Sequence, residues 1–231
     1  MSRPSLREKI LDAGVAVLHK RGYFACGVRE ITEAAGAPLG SFTNHFGSKE
    51  MFAAFVLDRY MDGLLEIMAR TLHDRSREPL ARIASYFDAV EGIAGPLERR
   101  FGCMIANLGL ELPMHSEMVR ARLMTALEQL TNSFAEAIRE AQERGQARTD
   151  IGAEELAVIV LSGWHGALLR AKVEQRGDAP LMFARTLPLL LRVVTDEPEK
   201  LQPHGDDRRG AENQSEISTL EVAGGLIRGG P

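Results

Sequence analysis

Along most of the chain, apolar residues recur at steps of three and four, the period of an amphipathic helix. Runs of alternating β-branched residues, the mark of strands, are missing. Ile10, Ala13, Gly14, Val17 and Leu18 form one stripe on a helix predicted over about 5–21, with Gly22 as a left-handed C-cap. A short helix follows over about 28–35, closed by Gly36. A third starts near Pro38, a residue suited to the first helical position, and ends near His45. Gly47 breaks the chain and Ser48 supplies an N-cap. A long fourth helix then covers about 49–73, with Phe52, Phe55, Val56, Leu64 and Leu65 facing inward. After a polar segment at 74–79, helices are predicted over about 80–93 and 97–112, punctuated by Gly95-Pro96 and Pro113. The most regular pattern is Val119, Leu123, Leu127, Leu130, Phe134, Ile138 and Ala141, on a helix over about 117–144. Two last helices, about 153–175 and 180–194, are apolar on more than one face. The segment 197–231 is polar, glycine-rich and without period, and reads as a disordered tail. The expected fold class is all-α.

Composition narrows the function classes. The chain has 231 residues, 45% hydrophobic and 26% charged, close to the average of globular proteins, so wholesale disorder is excluded. With 28 Lys/Arg against 32 Asp/Glu the formal charge is −4, which excludes a generally basic nucleic-acid coat protein. The charge is uneven. Residues 1–50 hold 7 basic and 5 acidic side chains (+2), and the remainder 21 and 27 (−6), so a small basic head sits on an acidic body. The longest charge-free apolar stretch, 156–169, is too short to span a bilayer, and no signal-peptide apolar region follows the N-terminus. Cys26 and Cys103 form no CxxC pair. A reduced, cytoplasmic location is the expectation.

Two short helices joined through Gly36 make a helix-turn-helix, with Ile31, Ala35, Ala37 and Phe42 locking them together. The ordered motifs Arg7–Ala13, Lys20-Arg21-Gly22-Tyr23, Val28-Arg29-Glu30-Ile31, Ala34-Ala35-Gly36, Gly40-Ser41-Phe42 and His45-Phe46-Gly47-Ser48-Lys49-Glu50 resemble the TetR family of transcriptional regulators. The resemblance implies a three-helix DNA-binding domain at 1–50, a helical ligand-binding and dimerisation domain at 51–196, and a third helix in the major groove of a palindromic operator. It further implies base or phosphate contacts from Ser41, Thr43, Asn44 and His45, a phosphate contact from Lys49, and a backbone contact from Arg29. Short hydroxyl and amide side chains can serve both kinds of contact. The family usually places Tyr where this sequence has Thr43, and the small Ala common at the helix contact is Thr32, whose hydroxyl is tolerable if it bonds back to the helix backbone.

In the body, Phe101-Gly102-Cys103 with Asn107-Leu108-Gly109, and the run 163–172, are similar to a branch whose members repress detoxification genes, among them the repressor of N-ethylmaleimide reductase and acrylate-responsive repressors. This implies a small-molecule inducer, an electrophile or unsaturated acid, in a pocket drawn from Phe101, Cys103, Asn107, Trp164 and His165. His165 stands where the branch often has Glu. If 97–112 is helical, Arg99 and Arg100 lie one turn before Cys103 and favour its thiolate, the reactive form; a buried, packing-only thiol is the alternative. Leu156, Val160, Ala167, Leu168, Leu187 and Leu191 are candidates for a homodimer interface built as a four-helix bundle, with Ala157, Gly163, Ala167 and Ala171 permitting close approach. No phosphate loop, GxSxG or HExxH is present. Pro113 stands between Glu111 and His115, so no metal site, cofactor or catalytic residue is expected. The expected function is a ligand-responsive repressor. The alternatives are an activator of the same fold, or a helical small-molecule-binding protein or enzyme that no longer binds DNA.

Overall fold

The computed structural model describes residues 5–93, 101–175 and 178–192, and all regular structure among them is helical. Nine helices follow in order: α1 (Leu6–Arg21), α2 (Val28–Ala34), α3 (Leu39–Phe46), α4 (Lys49–Arg70), α5 (Pro79–Ile93), α6 (Met104–Glu111), α7 (Glu117–Glu143), α8 (Ala153–Glu174) and α9 (Asp178–Leu191). Serines start three of them. Ser5 Oγ accepts from Glu8 N at 3.2 Å, Ser48 Oγ from Met51 N at 3.0 Å and Ser116 Oγ from Val119 N at 3.1 Å. Each satisfies one of the backbone donors that a helix start leaves open.

Helices α1–α3 and the start of α4 enclose a small aromatic core. Phe52 meets Phe42 in a tilted contact and Phe46 edge-on, with ring centroids 4.8 and 4.7 Å apart, and Ile10, Leu18 and Ile31 close around them. Gly14 is required here, because a Cβ at this position would overlap the Phe52 ring. Thr32 is buried and bonds back as the sequence requires, donating to Val28 O at 3.1 Å and Arg29 O at 3.0 Å. The body is built of α5, α7, α8 and α9; Phe87, Phe134 and Trp164 join α5, α7 and α8, and α4 packs on α5 and α7. Arg82, almost fully buried, pairs with Glu140 and ties α5 to α7.

The structure moves several expectations. The helix expected over 97–112 begins only at Met104, with Cys103 as its N-cap. Helix α4 ends at Arg70, where Thr71 departs from helical geometry. Leu65 and Leu127, expected inside, are exposed, and Ala126 takes the buried place on α7. Phe55 is half-buried and carries the Arg7 guanidinium 4.9 Å from its ring centroid. Helix α9 continues through Pro188, which lies on its exposed side. By length and composition α8 is apolar enough to cross a membrane, but one stripe of it packs beneath α7 and α9.

All six residues expected at a dimer interface, Leu156, Val160, Ala167, Leu168, Leu187 and Leu191, are buried within their own chain. Helix α8 packs on α7 and α9 of the same chain, and Leu168 also borders an internal cavity, so these buried side chains are covered by their own chain. The close approach at Gly163 is also intramolecular, since a Cβ there would strike the Phe183 ring of α9. The division between residues 50 and 51 falls two residues into α4, and head and body share one compact unit, Met1–Val194. The expectation for 197–231 lies outside the described residues.

Candidate functional site

Helix α3 has two unlike faces. Phe42 and Phe46 are buried, while Leu39, Gly40, Thr43, Asn44 and His45 are exposed and Ser41 is half-buried. The buried pair recurs at a step of four, which leaves 40, 43 and 44 on the opposite side. Arg29, on α2, is exposed as well. Five of the six residues expected to meet DNA thus present their side chains to solvent, wholly or in part, as a groove-reading helix requires.

Lys49 is the exception. Its Nζ donates to Tyr23 O and Cys26 O, both at 2.6 Å, and lies 4.4 Å from the Tyr23 ring centroid. The ammonium is spent on holding the α1–α2 turn, and the backbone donors at this helix start are served in part by Ser48. The expectation of a phosphate contact from Lys49 is corrected to a clamp.

Beneath the head, α1, α4, α5, α7 and α8 enclose a cavity of about 500 Å³. Its polar lining includes His19 from α1, Tyr60 from α4, Tyr86 and the buried Glu91 from α5, Cys103, and His165 from α8, together with the charged Asp12, Arg59, Glu66 and Arg70; Trp164 supplies an aromatic wall. Tyr60 OH donates to Cys103 Sγ at 3.9 Å, and His19 Nε2 donates to Gly102 O at 2.6 Å. Burial raises the Tyr60 hydroxyl well above its ordinary pKa, and the neighbouring Cys103 adds to the rise. Tyr86 is raised by burial in the same way. Burial lowers the His165 imidazole, so this ring is held neutral.

Of the five expected pocket residues, Cys103, Trp164 and His165 line this cavity. Phe101 and Asn107 do not. The Phe101 ring meets His19 edge-on at 6.0 Å, and its carbonyl accepts from Asn107 Nδ2 at 2.7 Å. Asn107 Oδ1 in turn accepts from Lys172 Nζ at 3.0 Å, and Asn107 borders a second cavity of about 360 Å³ on the other side of Gly102 and Cys103. Tyr60, Tyr86, His19 and Glu91 went unseen in the sequence. The available signal was a polar-tipped aromatic on an otherwise apolar stripe, as in Val56, Tyr60, Leu64 and Ile67.

The thiol differs from its expected state. Cys103 is 8% exposed, and burial raises its pKa. The N–H groups of Ala106 and Ile105 and the Tyr60 hydroxyl oppose that rise without overcoming it. Arg99 and Arg100, expected to favour the thiolate, lie outside the described residues. Cys26 is buried too and donates to Tyr23 O at 3.6 Å.

Comparison with known proteins agrees with both regions. Residues 10–54 match the profile of bacterial regulatory proteins of the tetR family, and 79–187 that of the tetracyclin repressor-like C-terminal domain. The chain is 38% identical over 179 residues to the HTH-type transcriptional repressor DhaR of Mycobacterium sp. (strain GP1), covering 77% of this chain and 88% of that one. It is 36% identical over 180 residues to the transcriptional regulator AcuR of Cereibacter sphaeroides, covering 78% and 82%. A crystal structure of the regulatory protein TetR from Rhodobacter sphaeroides superposes with a TM-score of 0.74 at 34% identity, over 81% of this chain and all of that one. The reduced form of NemR from E. coli shares the fold, with a TM-score of 0.69 at 21% identity over 82% and 98%. With an exposed reading helix above a helical, hollow body, and relatives matched over both, the chain belongs to the TetR family of transcriptional regulators.

Proposed function

We propose that the protein is a cytoplasmic, homodimeric repressor, without catalytic activity, that leaves its operator when a small molecule enters the cavity. The observation that carries this reading is the double use of α4. Its first turns support the reading helix through Phe52, and its C-terminal half, from Arg59 to Arg70, forms a wall of the cavity. A ligand that binds more tightly when α4 is displaced shifts the spacing of two reading helices in a dimer. An affinity ratio of about 100 between the two states supplies roughly 2.7 kcal/mol of coupling, enough to weaken operator binding to the same degree.

Dimerisation is supported by the faces of α8 and α9 that remain uncovered. Val158, Ile159, Leu169 and Val173 on α8, with Leu181, Met182 and Leu189 on α9, are exposed apolar residues at helical spacing. Patches of this kind mark association surfaces. They replace the buried residues of the sequence reading as interface candidates. DNA contacts fall to Arg29, Ser41, Thr43, Asn44 and His45. The inducer is a small, partly apolar molecule, for which the branch resemblance implies an electrophile or unsaturated acid; Cys103 meets it as a neutral thiol in the wall. Relatives named as repressors support repression over activation.

The test is a gel-shift titration with the duplex upstream of the chain's own coding sequence. Binding that falls steeply with salt and is lost in His45→Ala supports the reading. A particle that stays a single chain at working concentration, or binding indifferent to His45, overturns it.

A further inference from the structure

Helix α6 touches both the cavity and the head. At its N-terminal end, Gly102 and Cys103 form part of the cavity wall, and Gly102 O is held by His19 of α1. At its C-terminal end, Glu111 Oε2 accepts from Phe24 N at 2.9 Å in the α1–α2 turn. The carboxylate lies against Gly22, whose φ of +81° already restricts the position and where any Cβ would run into Glu111. Just beyond the helix, His115 meets the Phe24 ring edge-on at 5.4 Å. Eight residues span about 12 Å, so α6 is a short strut with one end in the cavity wall and the other on the turn that leads into the helix-turn-helix.

We infer that Glu111 is the positioning residue through which the cavity controls the DNA-reading head, by a route that does not pass through α4. The inference rests on the proposal that cavity occupancy releases the operator. The α1–α2 turn has two holders. Lys49 holds Tyr23 O and Cys26 O from α4, and Glu111 holds the Phe24 amide from α6. Lys49 comes from α4, which borders the cavity, and Glu111 from α6, whose N-cap Cys103 borders it, so relative movement of α6 and α4 pulls at two points on one six-residue turn, 22–27. That turn sets where α2 begins, and α2 packs directly on α3. An occupant pressing on Gly102 and Cys103 moves α6 along or away from α1. The Glu111–Phe24 hydrogen bond carries that displacement to the base of the reading unit. Releasing Glu111 uncouples the two ends while leaving the exposed face of α3 intact.

A double-mutant cycle tests this without an identified inducer, because a bulky side chain can stand for the occupant. Cys103→Phe and, from the opposite wall, Leu161→Phe are each combined with Glu111→Ala and Glu111→Gln. Operator affinity is measured with the upstream duplex, and folding is checked by thermal melting. Each filling variant is expected to weaken operator binding about tenfold in the otherwise unaltered chain and less than about twofold beside Glu111→Ala. Glu111→Gln, which keeps an acceptor oxygen, retains most of the tenfold effect. In the full-length protein, amide exchange at Phe24 should quicken in the filled variants and be insensitive to filling once Glu111 is Ala. Filling effects of the same size with and without Glu111 overturn the inference and leave ligand release through α4 standing. Filling that leaves operator binding unchanged in the unaltered chain overturns both.

Discussion

The head and the body hide their function in opposite ways. In the head the candidate DNA contacts, Arg29 of α2 apart, are neighbours in sequence on one eight-residue helix, and the supporting core is dense. The candidate ligand residues beneath it come from five helices between Asp12 and Leu168 and line a void. A surface read by another molecule needs periodicity only, and one helix supplies it. A cavity needs several helices to be held apart, and no local pattern records a space. The same contrast appears in the charged groups. Arg29 and His45 stand out in solvent, whereas Tyr60, Tyr86, Cys103 and His165 are driven by burial toward their neutral forms.

The contrast is broken most forcefully in the two cores. Phe52→Ala should destabilise the protein by about 3–5 kcal/mol, since it removes the ring on which Phe42, Phe46 and Gly14 all close. Leu161→Ala enlarges an existing cavity and belongs near about 2 kcal/mol, the low end of the range for such truncations. Equal losses by thermal or denaturant unfolding would mean that the body is as tightly packed as the head. Next in size, Asn44→Ala and His45→Ala should each weaken operator binding by about 1–3 kcal/mol with melting little changed, because both side chains are exposed and His45 meets the core only at the edge of the Phe46 ring.

Lys49→Met separates a clamp from a phosphate contact. Loss of two carbonyl hydrogen bonds should lower stability by about 1–3 kcal/mol, while the dependence of operator affinity on salt keeps its slope. Arg29→Ala should do the reverse, leaving stability alone and reducing the salt slope by about one. A reduced slope in the Lys49 variant would return this residue to the DNA.

The smallest effect is a pH dependence. The His165 pKa is lowered in the folded chain, so below the ordinary imidazole value the unfolded chain binds the extra proton and the folded one resists it. The stability this ring contributes is present above that value and is lost as pH falls from about 6.5. His165→Gln should flatten the curve there. Cys103 and Tyr60 act with the opposite sign. Their pKa values are raised, so their contribution is intact at neutral pH and is lost as pH rises above the ordinary thiol and phenol values. Denaturant midpoints measured across pH should therefore show a plateau with shoulders on both sides.

Helical period alone placed α1, α2, α3, α5, α7 and α8 to within a residue or two, because glycine, proline and serine mark their ends. The inward reading of Phe42 agrees with its burial, whereas the outward Thr43, Asn44 and His45 came from the family resemblance, and the burial of Phe46 was not anticipated. The period failed for α6, where one helix was read from 97 straight across Gly102, although that glycine has a φ of +76° and the helix starts only at Met104. It failed as well for Leu156, Val160 and Leu168, because a residue buried by its own chain and one buried by a partner are equally apolar.

What the sequence determined by itself is therefore local: helices, their caps and the family that their order spells. The tertiary structure decided which cations are already engaged, as at Lys49, which thiol is shielded, as at Cys103, and where helices stand apart to leave a cavity. Those outcomes depend on distances between segments far apart in the chain, and a periodic pattern carries the direction of a side chain but not what it meets.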